Sequence, residues 1–147
     1  EALVVDVASN QVVARCEGHR HYSFAADFHP GGHLVATGNQ DKTCRVWDMR
    51  TWRCLATLPA QLGAVRSIRF TSDGAYMAAA EPADFVHIYD VAADFKRQQE
   101  VDLFGEIAGI SFSPEGECLF VGVADRTYGS MLHFRRPRPA LPSLLSY

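Results

Sequence analysis

FHPGGHLVATGNQDKTCRVWD, residues 28–48, is the stretch that decides the fold of this chain. Apolar and polar residues alternate in two runs, HLVATG and KTCRVWD, and the turn sequences HPGG and NQDK precede them. Alternation bounded by Gly, Pro, Asn and Asp is typical of short antiparallel strands. The stretch therefore predicts a strand that ends at Phe28, followed by two more antiparallel strands.

The same pattern returns at an interval of 42 residues, which separates Phe28, Phe70 and Phe112. The segments LVVD, RVWD and HIYD end at one equivalent position of this repeat. A period of about 40–45 residues is the length of a four-stranded β-propeller blade. The sequence thus predicts an all-β chain of about three blades plus a leading part-blade, fewer than the ~4 blades of the smallest closed propellers.

The period also predicts the domain organisation. A partial propeller is expected at residues 1–134, with repeats at about 1–16, 17–58, 59–100 and 101–134. The remainder, RRPRPALPSLLSY at 135–147, has no strand pattern and is predicted to be a Pro- and Arg-rich tail. Because the chain opens with Glu1 inside a repeat, we expect part of a longer protein or a truncated gene product. The polar run from Lys96 to Glu100 predicts an irregular sheet edge.

Composition narrows the class of protein. Of the 147 residues, 48% are hydrophobic and 21% charged, which is ordinary for a folded domain. A net charge of −3 argues against a general nucleic-acid binder, which is normally basic. No apolar run approaches the ~18 residues that a membrane helix requires. Four cysteines without paired metal-ligand spacing predict a reducing compartment, the cytosol or the nucleus: Cys16, Cys44, Cys54 and Cys118.

Two dipeptides, Gly18-His19 and Trp47-Asp48, carry a specific resemblance to a known family. A GH pair followed, about one blade core later, by a WD pair resembles the WD-repeat family. HPGGHLVATGNQDKTCRVWD is a close match to the family pattern, whereas AEPADFVHIYD and GVADRTYGSMLHF are degenerate repeats. The run MAAAEPADFVHIYD, with DLFGEIAGISFSPEGECLFVGVADRTYGS after it, resembles one subgroup of WD-repeat proteins and implies no particular activity.

The resemblance implies a structural hydrogen-bond network in the repeat at 17–58, built from His19, Thr37, Asp41 and Trp47. The indole N–H can donate to the threonine hydroxyl, the hydroxyl to one imidazole nitrogen, and the other ring N–H to the aspartate. In the next repeat the equivalent positions hold Gln61, Ala79, Ala83 and Tyr89, so this network is not expected there. A hydroxyl, imidazole and carboxylate could also suggest a hydrolase, but the hydroxyl is then already used by the tryptophan.

A metal site is the competing interpretation of a histidine-rich segment. The cluster comprises Cys16, His19, His21, His29 and His33. Zinc sites usually pair close ligands on each side, and the blade network already uses His19. We therefore predict neither a metal nor a cofactor.

The arginines of the tail offer two further hypotheses. Phe134-Arg135-Arg136, with Arg138, resembles the FRRG sequence of phosphoinositide-binding propellers, although Pro137 replaces the glycine. Arg136, Pro139 and Pro142 match the spacing that SH3 domains recognise in a polyproline II helix. The alternative to both is a plain tail.

The predicted function is a non-catalytic WD-repeat scaffold whose partners are other proteins and the remaining blades of a longer chain. Loops held by a rigid scaffold commonly carry binding residues. The candidate partner-binding patch lies in the connections between second and third strands and in the loop before the first complete blade: Arg20, His21, Lys42, Glu81, Asp84, Arg126 and Tyr128. The alternatives are a phosphoinositide adaptor, a patch whose loops merely pack together, and a propeller enzyme. An enzyme would have only four carboxylates in these connections: Asp41, Glu81, Asp84 and Asp125.

Overall fold

The computed structural model describes residues 1–124, 127 and 129–137. This part of the chain contains strands and no helix, so the predicted all-β fold is confirmed, and no described segment is a helix that could span a membrane. The strands are β1 (Ala2–Asp6), β2 (Gln11–Cys16), β3 (Ser23–Phe28), β4 (Leu34–Asn39), β5 (Thr43–Asp48), β6 (Cys54–Pro59), β7 (Ser67–Phe70), β8 (Tyr76–Ala80), β9 (Ala83–Asp90), β10 (Gln98–Phe112), β11 (Cys118–Ala124) and β12 (Gly129–Arg135).

The stretch at residues 28–48 folds as predicted, into the end of β3 followed by β4 and β5. With β6 these strands form a four-stranded antiparallel sheet in the order β3-β4-β5-β6, the first repeat. The HPGG turn closes through a hydrogen bond from the Gly32 N–H to the carbonyl of His29. Gly32 has φ 74°, a left-handed conformation that glycine adopts without steric cost. Strands β1 and β2 form a separate two-stranded sheet before this blade.

The second and third repeats share one antiparallel sheet of six strands, in the order β7-β8-β9-β10-β11-β12. Strand β10 belongs to both, because Gln98–Asp102 pairs with β9 and residues 106–112 pair with β11. The predicted repeat boundary at 100/101 therefore falls inside a strand. Our prediction of an irregular edge from Lys96 to Glu100 is wrong from Gln98 onward, since Gln98, Gln99 and Glu100 pair in register with β9. The register shifts later, between Asp102 and Glu106.

Strand β8 contributes to both of the larger hydrophobic cores and is buried on both faces. Successive side chains of a strand point to opposite faces. Met77 and Ala79 accordingly pack in a core shared with the first repeat, while Ala78 and Ala80 pack in a core shared with β10 and β11. A strand buried on both sides explains why the run MAAA is continuously apolar rather than alternating.

The first and second repeats are also joined by polar contacts at the HPGG turn. The side chain of His29 accepts at Nδ1 from the Gly31 N–H, at 3.0 Å, and donates from Nε2 to the Gly74 carbonyl, also at 3.0 Å. The carboxylate of Asp27 accepts from the Phe70 N–H at 2.8 Å. These side chains fix one sheet against the next, as the blades of an incomplete propeller require.

Candidate functional site

A continuous chain of hydrogen bonds links the four network residues of the first repeat. Nε1 of Trp47 donates to Oγ1 of Thr37 at 2.9 Å, and that hydroxyl lies 2.8 Å from Nε2 of His19. Nδ1 of His19 lies 3.1 Å from the carboxylate of Asp41. The chain ties strands β4 and β5 to the loop before β3 and to the β4–β5 turn.

The geometry of Thr37, His19 and Asp41 resembles that of a nucleophile, base and orienting acid, but its surroundings are structural. Thr37 is 3% exposed and the His19 side chain 0%. The hydroxyl also accepts the indole proton of Trp47, so its proton is directed at the imidazole from inside the sheet. A substrate carbonyl has no access to this oxygen, and nucleophilic catalysis at Thr37 is excluded on these grounds.

Trp47→Phe is expected to lower the free energy of unfolding by about 1–3 kcal/mol, because the buried Thr37 hydroxyl loses its donor while most of the apolar bulk remains. The matched control is Tyr89→Phe, at the same repeat position with Ala79 in place of Thr37, and it should cost less. Urea denaturation measures both. A larger fall in the midpoint for Tyr89→Phe would contradict the role given to the network.

The Asp41 carboxylate also holds the loop that leads into the first repeat. It accepts from the Thr43 hydroxyl at 2.6 Å and from the Arg20 N–H at 3.2 Å. Burial raises the pKa of Asp41, but the hydrogen bonds from Thr43, His19 and Arg20 outweigh burial and lower the pKa to about 2. The charged carboxylate is thus the form that the fold stabilises.

This lowered pKa predicts a specific acid sensitivity. A carboxyl group whose pKa is lower in the folded chain than in the unfolded chain stabilises the fold when the pH is above its unfolded pKa. That contribution is lost as the pH falls through its folded pKa. For Asp41 the window runs from about pH 4 to pH 2, and the loss is about 2 kcal/mol. Between about pH 4 and pH 2, the free energy of unfolding of Asp41→Asn should fall less than that of the unaltered protein. Urea unfolding at each pH measures both. Identical losses would contradict the assignment.

Asn39, which no sequence motif singled out, is a second buried residue that holds the same loop by hydrogen bonds. It is 0% exposed, and its amide donates to the His21 carbonyl at 2.7 Å and to the Ser23 hydroxyl at 3.0 Å. Its Oδ1 accepts from the Asp41 N–H at 2.8 Å. Arg20 and His21 are exposed, so the buried Asn39 and Asp41 position a surface loop.

Glu81 requires a correction, because the structure places this predicted surface residue in the interior. Glu81 is 1% exposed, and its two carboxylate oxygens accept from the backbone N–H groups of residues 61–63 at 2.6–2.8 Å. Nε2 of His87 lies 2.8 Å from the same carboxylate. Glu81 therefore cannot touch a partner directly and instead holds the loop that leads into the second repeat.

The second repeat thus has a polar network of its own, centred on Glu81. Gln98 donates from its amide to Nδ1 of His87 at 2.7 Å, which leaves the Nε2 proton of His87 for Glu81. Burial raises the pKa of Glu81, but the hydrogen bonds from His87 and the loop outweigh it and lower the pKa. Counting 42 residues from Asn39 arrives at Glu81. The two buried side chains that hold the leading loops therefore occupy the same repeat position.

The loops of the two repeats form one hydrogen-bonded rim. The Ala60 N–H donates to the Lys42 carbonyl at 2.9 Å, and the Val65 N–H to the Asn39 carbonyl at 3.1 Å. Between these two bonds, residues 61–63 are held by Glu81. Lys42 and Asp84 occupy the same repeat position and share a left-handed backbone, with φ 64° and 70°.

The remaining predicted site residues fall into two groups. Arg126, Tyr128, Asp125, Arg138, Pro139 and Pro142 lie outside the described residues. Arg136 is described: its guanidinium pairs with Asp73 at 2.8 Å and lies over the Tyr76 ring at 4.6 Å. An SH3 domain or a phosphate group would have to compete for this arginine with both contacts.

Metal coordination finds no support in the described geometry. The described residues include no group of three or more His, Cys, Asp or Glu side chains placed to hold an ion. His19 is engaged by Thr37 and Asp41, and His29 by Gly31 and Gly74.

Buried strands in repeated sheets, with exposed loops at a common rim, define a propeller-type repeat protein. The model of the family "WD domain, G-beta repeat" matches residues 10–48 and 52–90. The chain belongs to the WD-repeat family. The matched ranges include the first buried network and, in the second, Glu81, His87 and residues 61–63.

Curated relatives agree with this assignment. The chain is 32% identical to small ribosomal subunit protein RACK1y of Oryza sativa subsp. japonica over 120 residues, 77% of this chain and 35% of that protein. It is 30% identical to pre-mRNA-processing factor 19 of Bos taurus over 128 residues, 84% of this chain and 25% of the relative. Lissencephaly-1 homolog of Dictyostelium discoideum is 43% identical over 54 residues, 33% of this chain and 13% of the relative. The chain thus spans about a third or less of these relatives.

Proposed function

We propose that this protein is a non-catalytic scaffold that binds other proteins through the rim formed by its first and second repeats. The observation that carries the proposal is the hydrogen-bonded rim itself. Backbone bonds join Lys42 to Ala60 and Asn39 to Val65, while the buried carboxylates of Asp41 and Glu81 hold the two leading loops. Loops fixed in this way present their side chains at little entropic cost on binding.

Of the four carboxylates that an enzyme could use in these connections, the three that the structure describes take part in structural hydrogen bonds. Asp41 accepts from Thr43 and Arg20, and Glu81 is buried against three backbone N–H groups. Asp84 accepts from the Gly105 N–H at 3.2 Å. Conversely, the Arg20, His21 and Lys42 side chains are exposed.

The proposed contact residues are therefore Arg20, His21, Lys42 and Asp84, together with Arg126 and Tyr128. Arg and Tyr are enriched among the residues that contribute most to protein interfaces. One relative is named as a small ribosomal subunit protein, that is, as a component of a larger assembly. We place the protein in the cytosol or nucleus, where its four cysteines would remain reduced.

The test is quantitative affinity isolation from cell extract with the protein and matched variants. The rim variants are the double substitution Arg20→Ala with Lys42→Ala, and the single substitutions Arg126→Ala and Tyr128→Ala. The control is Arg53→Ala, which removes an exposed arginine from the opposite end of the first blade. We expect at least one protein partner to be lost with the rim variants and kept with Arg53→Ala, at unchanged melting temperature. Retention of every partner by all folded rim variants would refute the proposed surface.

The phosphoinositide adaptor is the second candidate function, and it rests on Arg135, Arg136 and Arg138. The ion pair of Arg136 with Asp73 speaks against it, because that side chain is already occupied. Sedimentation with phosphoinositide-containing vesicles separates the two functions. Vesicle binding that is lost with Arg135→Ala and Arg138→Ala would favour the adaptor.

A further inference from the structure

The second repeat exposes two large apolar side chains beside its rim turn. Phe104 is 100% exposed and Leu62 is 60% exposed. Phe104 lies where β10 shifts its register against β9, and Leu62 lies in the loop that Glu81 holds. Contiguous exposed apolar groups with a polar border mark interaction sites, whereas single exposed apolar residues are ordinary.

Hydrogen bonds to a single turn, residues 81–84, hold the backbone at Leu62 and next to Phe104. The Gly105 N–H donates to the carboxylate of Asp84, and the Ile107 N–H to the Pro82 carbonyl at 2.8 Å. Leu62 donates its own N–H to Glu81 at 2.8 Å. The exposed Phe104 side chain is therefore held in place by its hydrogen-bonded backbone, because its ring does not pack against the protein.

The strand that carries Phe104 is negatively charged. Strand β10, Gln98–Phe112, contains Glu100, Asp102 and Glu106 and no Lys, Arg or His. Asp102 and Glu106 are exposed on either side of Phe104, and within the described part of the chain neither forms an ion pair.

We propose that this surface, Leu62, Phe104, Asp84, Asp102 and Glu106, binds a basic segment of a partner protein that carries an apolar side chain. The apolar residue would contact Phe104 and Leu62, while Lys or Arg residues on either side would face Asp102 and Glu106. Complementary charge sets specificity and the association rate, and the buried aromatic contact supplies most of the affinity. This inference rests on the proposed scaffold function and names the partner chemistry for one part of the rim.

The test uses fluorescence anisotropy with three labelled nonapeptides. The first has three Lys or Arg residues on each side of a Leu-Phe-Leu centre, the second has Asp and Glu flanks, and the third keeps the basic flanks around Ser-Gly-Ser. We expect the first peptide to bind, at least about tenfold more tightly than either of the others. Its binding should weaken as salt rises, since exposed charges are screened.

Two pairs of variants locate the peptide. Phe104→Ser should weaken the first peptide about tenfold, whereas Met131→Ser, which removes an exposed apolar side chain from β12, should leave it unchanged. Glu106→Gln should weaken it about two- to threefold, more than Glu115→Gln, which removes the same charge from the β10–β11 turn at the other end of the sheet. Unchanged melting temperatures show that each variant is folded.

Three outcomes would overturn the proposal. One is failure of the basic apolar peptide to bind, and another is equal weakening by Phe104→Ser and Met131→Ser. The third is sedimentation that shows self-association lost with Phe104→Ser, which would make a second copy of this chain the occupant. Affinity isolation with the Arg20 and Lys42 variants remains a separate readout, so the scaffold function can stand when this inference fails.

Discussion

Glu81→Ala is expected to lower the free energy of unfolding by about 3–5 kcal/mol, more than any other single substitution proposed for this protein, because it removes one member of a buried polar pair. The backbone N–H groups of residues 61–63 and Nε2 of His87 would lose their acceptor together. Each buried donor left without a partner is costly, since folding has already removed its water. Chemical denaturation at neutral pH measures the loss.

The matched control is Glu100→Ala. Glu100 is an exposed residue of the same network, 3.4 Å from Nδ1 of His87 and 3.0 Å from the Gln61 amide. Solvent can replace this partner, so we expect a loss of about 0–1 kcal/mol. Equal losses for Glu81→Ala and Glu100→Ala would mean that the buried carboxylate is not the centre of the network.

Gly38→Ala is expected to destabilise the protein by about 1–3 kcal/mol through overpacking between the first and second repeats. A Cβ atom at this position would lie 2.6 Å from the Val65 carbonyl oxygen, a backbone atom that cannot rotate away. The Val65 N–H donates to the Asn39 carbonyl, so relief of the clash would also disturb that bond. Thermal or urea unfolding measures the effect.

Gly122 offers the control, because it stands two repeats from Gly38 at the same position. A Cβ at Gly122 would meet its nearest atom at 3.8 Å, an ordinary contact. Gly122→Ala should therefore be neutral or stabilise the strand by about 0.5–1 kcal/mol, since alanine loses less conformational entropy than glycine in a strand. A Gly38→Ala variant as stable as Gly122→Ala would show that the two repeats do not approach closely there.

The first repeat could be predicted from the sequence because its local signals agree with one another. Strand alternation, the turns HPGG and NQDK, and the spacing of His19 and Trp47 all indicate the same four-stranded sheet. When propensity, pattern and turn chemistry coincide, the fold is strongly specified. The 42-residue period then carried the prediction into the later strands.

Prediction failed at Glu81 because a charged residue in a connection normally faces solvent. Its burial depends on three backbone N–H groups about twenty residues earlier and on His87, and no local pattern contains that information. The irregular edge predicted up to Glu100 was wrong for a related reason. Gln98 and Glu100 are polar and exposed, yet they pair with β9, because an outer strand needs backbone partners more than apolar side chains.

The central claim is that two different buried networks hold the leading loops of neighbouring repeats and so keep the proposed binding rim rigid. Amide hydrogen exchange in Glu81→Gln tests this directly, because exchange reports local opening residue by residue. We predict that exchange at Gln61, Leu62 and Gly63 accelerates at least about tenfold, equivalent to about 1.4 kcal/mol of local stability. The Arg20 amide, held by Asp41 in the first repeat, should exchange at its original rate. Unchanged exchange at Gln61, Leu62 and Gly63, or equal acceleration at Arg20, would contradict the account.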